Sequence, residues 1–215
     1  MTTKSISLRD VMFLCRPIAK DKQQEKDFKD LAENKLKSPD SWEVEISAKG
    51  NNKESWERLL SENKLGAFAF IRNLRNMVQA NVDDDLIRKY FLTMKGIEKI
   101  LPFRYLSAAA HAPKFEPELE QAMFKNLAGK EKLPGKTVVI VDVSGSMYNT
   151  PVSEKSEMDR AKAACAVAVL ARELCENVSI YATAGNDGTR IHKTQLVPSR
   201  RGFALSDAIF QLCRP

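Results

Sequence analysis

Apolar residues recur at three- and four-residue spacing through the first 128 positions, and from position 137 they run together without polar interruption. The first regime predicts amphipathic helices and the second a buried strand. Leu8, Val11, Met12 and Cys15 follow Ser7, a good N-cap, and Arg16-Pro17 ends that helix. Over residues 21–37 Lys alternates with acidic residues and only Phe28, Leu31 and Leu36 form an apolar stripe, which predicts a helix docked on one side. Ser38-Pro39-Asp40 makes a turn, and two short helices flank the turn residues Ala48 to Asn52 between Trp42 and Leu60. Ala67, Phe70, Ile71, Leu74, Met77 and Val78 mark the strongest amphipathic helix of this half, with Arg72, Arg75, Asn76 and Gln79 gathered on its opposite side. Further helices are expected near 84–94, 98–111 and 117–127, the last opened by Pro117 among glutamates that suit a helix N-terminus. Paired helices with short polar turns suggest a solenoid of the HEAT type, although no repeat is clear enough to define one by spacing alone.

Residues 128–136 are rich in charge, glycine and proline, and a domain boundary is placed there, giving segments 1–133 and 134–215. Thr137 to Val141 is a β-branched apolar run of the kind that forms a parallel strand covered on both faces. It rises to Asp142, and Ser144 and Ser146 follow. Ligands of open α/β sheets collect at such strand ends. One carboxylate and two hydroxyls within five residues suit a hard cation such as Mg2+, which would need further ligands from elsewhere. A serine-rich turn whose hydroxyls cap the next helix is the plainer alternative. A helix opens at Ser156-Glu157-Met158-Asp159, and its middle, Ala163 to Ala171, is apolar all round, which predicts burial. Residues 178–183, the turn Gly185 to Gly188 and residues 189–197 read as a hairpin, and Arg201 to Leu212 as a last helix. The order is β-α-β-β-α.

A net charge of +6 permits a polyanionic partner, but acidic residues are interleaved throughout and the same balance describes a solvated mixed-charge surface. Cys15, Cys165, Cys175 and Cys213 show no metal-binding spacing. Cys165 and Cys175 fall on one predicted helix, about 15 Å apart along its axis, so free thiols in a reducing, cytoplasmic setting are expected. Nothing reads as a signal peptide or a membrane span. His111 and His192 read as structural surface residues. No Ser-His-Asp arrangement, His-Glu-x-x-His motif or carboxylate pair at a strand end appears, so no enzyme is expected. A phosphotransfer enzyme built on Asp142 lacks the second carboxylate and the phosphate-cradling lysine it would need.

Asp142-Val143-Ser144-Gly145-Ser146 after an apolar strand resembles the metal-ion-dependent adhesion site of von Willebrand factor type A domains. With Ser7 to Val11, Glu54 to Leu60, Phe70 to Met77, Leu101 to Arg104 and Arg201 to Leu205, nearly the whole chain resembles TROVE-module Ro proteins. The resemblance implies an α plus α/β architecture, a HEAT-like helical segment followed by the first half of a Rossmann-like A domain. It implies binding of small noncoding or misfolded RNA within a ribonucleoprotein, and Mg2+ at Asp142, Ser144 and Ser146 that would accept a carboxylate from a protein partner. It also implies that helical repeats upstream and the later half of the A domain, with its Thr and Asp ligands, lie beyond this stretch. Arg16 matches the position of an RNA-contacting histidine of the family and reads equally as a helix C-cap. Arg72 and Arg75 are candidate phosphate contacts, with a solvated face as the alternative, while Asn73 and Asn76 are expected to bond a neighbouring repeat's helix end. The rival function is a metal-dependent protein-interaction scaffold without RNA binding.

Overall fold

The computed structural model describes residues 6–154, 158–186 and 191–212. The chain divides into two compact units, Met1–Ala48 and Lys49–Pro215. The boundary expected at 133/134 therefore lies inside the second unit.

In the first unit, α1 (Leu8–Cys15) is closed at its N-terminus by a reciprocal pair. The Asp10 backbone N–H donates to Ser7 Oγ at 3.2 Å, and Asp10 Oδ2 accepts from Ser7 N at 2.9 Å. The hydroxyl and backbone bonds from Ser7 hold the Asp10 carboxyl below its usual range. At the other end Arg16 adopts φ 42° and its N–H caps Met12 O, so the helix-cap reading of Arg16 describes its backbone. The helix α2 (Lys22–Ala32) starts on the Asp21 cap and stops five residues short of the expected end. Asn34 there takes a left-handed φ of 56°, a conformation that asparagine tolerates better than most residues.

The second unit begins with the helices that the periodicity predicts. These are α4 (Lys53–Ser61), which follows α3 (Trp42–Lys49), then α5 (Ala67–Gln79), α6 (Asp84–Thr93), α7 (Pro102–His111) and α8 (Glu116–Leu127). The single helix expected over 98–111 is instead a 3₁₀ turn at 97–99 followed by α7, because Pro102 supplies a helix start and not an interior. Trp56, Leu59, Phe70, Leu74, Met77, Ile87, Tyr105, Phe115, Leu119 and Met123 are fully buried and form the helical core. Polar groups tie neighbouring helices together. The Tyr90 hydroxyl donates to Leu65 O, Asn126 Nδ2 donates to Ile100 O, and Lys114 pairs with Asp84 at 2.6 Å.

The remainder is β1 (Leu133–Asp142), α9 (Arg160–Leu174), β2 (Cys175–Asn186), β3 (Ile191–Leu196) and α10 (Gly202–Leu212). The sheet order is β1-β2-β3, with β1 parallel to β2 and β3 antiparallel to β2. The α plus α/β architecture is thus the observed one. Three expectations need correction. The strand β1 is not covered on both faces, since Val141 is buried while Val138 and Ile140 are 63% and 65% exposed; α9 packs on one face of the sheet only. The middle of α9 is not buried all round, because Val167 is 61% exposed. Cys175 does not share a helix with Cys165: α9 ends at Leu174, and Cys175 caps it and opens β2, both residues being buried and outside any disulfide. The helix start Ser156-Glu157 and Cys213 lie outside the described residues, and α9 is capped by Asp159, whose carboxylate accepts from Lys162 N at 2.7 Å.

The helical segment and the sheet segment pack as one body within this unit. The helix α7 lies against α9, and α8 against α10. Glu120 of α8 accepts the Phe203 N–H at 2.8 Å, and Arg201 lies 5.0 Å from the Phe124 ring while paired with Glu173 of α9.

Candidate nucleic-acid interface

Residues 72 and 75 are one turn apart on α5 and project to the same side, away from buried Leu74 and Met77. On α7, Arg104, Ser107 and His111 recur at intervals of three and four and share a face in the same way. Packing of α5 against α7 brings the two faces together. They line a cleft of about 690 Å³ together with Phe103, Val152, Ser153 and Met158. Three guanidinium groups and an imidazole thus face one space, and no carboxylate stands among the described lining residues. The Arg104 guanidinium is steered by two rings, 5.1 Å from Phe103 and 5.6 Å from Phe68, which limits the rotamer freedom it must give up on meeting an anion.

Of the candidate RNA contacts, Arg72 and Arg75 come together and are exposed, while Arg16 belongs to the other compact unit. Arg104 and His111 were not singled out from the sequence as site residues. Their seven-residue spacing with Ser107 between them carried the signal, but it becomes a site only when α5 is known to be the neighbour. Asn73 and Asn76 do not bond another helix end: Asn73 Nδ2 donates to Ala69 O at 2.9 Å in its own helix, and Asn76 Nδ2 to Asn73 Oδ1 at 3.0 Å. A buried amide on a helix reaches its own preceding turn more readily than a separate element.

The loop after β1 gathers its three oxygens. Asp142 Oδ1 accepts from Ser144 N at 2.9 Å, and Ser144 Oγ lies 3.3 Å from Ser146 Oγ. Asp142 and Ser146 are exposed and Ser144 half-buried. Neither hydroxyl caps α9, which uses Asp159. A carboxylate and two hydroxyls are donor types that a hard cation accepts. Among the described residues no group of three His, Cys, Asp or Glu side chains is placed to hold a metal.

A helical segment carrying a cationic cleft, packed with a mixed three-stranded sheet whose first strand ends in an Asp-x-Ser-x-Ser loop, defines a protein of the α plus α/β class. Residues 32–197 match the TROVE domain family, and the chain belongs to it. Mouse telomerase protein component 1 is 32% identical over 90 residues, which is 40% of this chain and 3% of that protein. The rat protein of the same name is 31% identical over an equal span. The chain thus spans about 3% of the length of these curated relatives. The crystal structure of the Deinococcus radiodurans RO (RSR) protein superposes over 95% of this chain and 50% of its own, with a TM-score of 0.60 at 15% identity, a likeness of fold.

Proposed function

We propose that the chain is an RNA-binding component of a ribonucleoprotein, taking small noncoding or misfolded structured RNA through phosphate contacts at Arg72 and Arg75, with Arg104 beside them; Arg16, in the other compact unit, is a separate candidate contact. The convergence of Arg72, Arg75 and Arg104 on one cleft carries this reading, because the planar guanidinium fork matches phosphate oxygens two at a time. Family membership and the RO-like fold support it. The function is binding and not catalysis. A cytoplasmic residence accords with reduced cysteines at Cys15, Cys165 and Cys175, which form no disulfide, and no helix of the described residues is long and apolar enough to cross a membrane.

Fluorescence anisotropy with a structured RNA bearing a single-stranded end tests the proposal. Affinity should fall steeply between about 50 and 200 mM salt, as counterion release requires. Replacing Arg72 and Arg75 by Ala should weaken binding and reduce the salt slope by about one for each phosphate that is no longer neutralised. Absence of binding at low salt would leave the second reading, a metal-dependent scaffold for an acidic protein partner, which the carboxylate of Asp142 and the neighbouring hydroxyls of Ser144 and Ser146 favour.

A further inference from the structure

The arginine-lined cleft has a neighbour. A second cavity of about 250 Å³ lies between α7, α9 and α10, and Ser107, His111 and Met158 border both spaces. Its character differs from that of the first. Leu106, Ala110 and Phe210 give it apolar walls, and Asp207 brings a carboxylate to it. Lys162, the cation at its border, is paired with Asp159 at 3.7 Å. Phe210 is half-buried and lies 5.9 Å from the Tyr148 ring, so its orientation is braced by a second aromatic.

Charge gives the pair of cavities a direction. A phosphate is drawn to Arg72, Arg75 and Arg104 and repelled by Asp207. A nucleobase fits the reverse way, with an apolar and aromatic wall for its face and a carboxylate to accept from its exocyclic amino hydrogens. Single-stranded RNA is read in this manner, by stacking on aromatic side chains and hydrogen bonds to exposed base edges. The combined size suits a nucleotide-scale ligand better than a duplex, and Ser107 and His111 stand at the junction where a ribose would pass. We propose that the two cavities form one nucleotide-binding cleft, with the phosphate held at Arg72, Arg75 and Arg104 and an unpaired base seated against Phe210 and Asp207. This inference rests on the RNA-binding reading and makes the site a joint product of the helical segment and the sheet segment.

The test is binding of labelled octamers of A, C and U to the 215-residue chain, beside the structured RNA. A carboxylate accepts from the amino groups of adenine and cytosine, whereas the one donor of uracil, N3–H, is flanked by two carbonyl oxygens that a carboxylate repels. Oligo(A) and oligo(C) should therefore bind more tightly than oligo(U). Asp207→Asn, an exposed and conservative change, should raise oligo(U) relative to oligo(C) by roughly fivefold, since an amide can also donate to the uracil carbonyls. Phe210→Ala, checked for an unchanged melting temperature, should weaken all three by roughly tenfold, the usual effect of losing one stacked base. Arg104→Ala should weaken them equally and lower the salt slope by about one. If the structured RNA binds but the octamers do not, or if Asp207→Asn leaves the ratio of oligo(U) to oligo(C) unchanged, the base-seating cleft is overturned while RNA binding stands. If no RNA binds at low salt, the RNA-binding reading fails and takes the cleft with it.

Discussion

Tyr105 shows what burial does to a single side chain. It is fully buried on α7, and loss of water around the phenol pushes its pKa up to about 12. A phenol whose folded pKa lies above its unfolded value of about 10 stabilises the fold fully below pH 10, and that contribution is lost as pH rises toward 12. Denaturant unfolding should therefore lose on the order of 2 kcal/mol between those pH values. Tyr105→Phe should remove that part of the slope, and an unaltered slope would place the titration elsewhere. The Asp142 loop obeys a different limit. One formal charge and two neutral hydroxyls make a poor exchange for the hydration shell of magnesium. Calorimetric titration of Mg2+ into this chain should show binding weaker than micromolar and sensitive to Asp142→Ala. Micromolar affinity would mean that further ligands complete the site. The Asp-x-Ser-x-Ser pattern was legible because all three donors are local, whereas Arg104 and His111 were not, because their partners Arg72 and Arg75 are 29 to 39 residues away in sequence.

Among the elements, α10 depends on one glycine. Gly202 begins the helix at φ +56°, a conformation costly for side-chain-bearing residues, and a Cβ there would collide with the Glu120 carboxylate and lie 2.8 Å from Phe124 Cζ. The same Glu120 accepts the Phe203 N–H, so Gly202→Ala both strains the backbone and displaces the only side chain shown bonding that amide. A loss of about 2–4 kcal/mol is expected, from about 1–3 for the left-handed residue and about 1 for the hydrogen bond; thermal and denaturant melts read it directly. A change below roughly 0.5 kcal/mol, the usual limit for surface substitutions, would show that α8 and α10 separate without cost. The helices themselves were legible wherever caps and periodicity agreed, as at Ser7 and across α5. Where proline or a cap competed with the apolar stripe, as at Pro102 and Asn34, the local residue prevailed over the longer pattern.

At the scale of the molecule, the helical segment covers α9 and α10, and Val138 and Ile140 remain exposed on the open face of β1. Residues 134–215 expressed alone would uncover α9 and α10 as well. Each large aliphatic side chain left in water forgoes roughly 1.5–3 kcal/mol, so several of them rival the stability of a small domain. That fragment should aggregate or lack a cooperative melt, and a monomeric sedimentation profile with a sharp transition would contradict this. The sequence by itself determined the order of elements, the β-α-β-β-α arrangement, the cationic face of α5 and the oxygen donors after β1, because each rests on neighbours within a few residues along the chain. Only the tertiary structure decided that 49–215 forms one compact unit, that α9 covers a single face of the sheet, and that the arginines of α5 meet Arg104 and His111 at a cleft continuous with Phe210 and Asp207. Those outcomes depend on which helix face packs against which, and hydrophobic periodicity marks the buried face of an element without naming its partner.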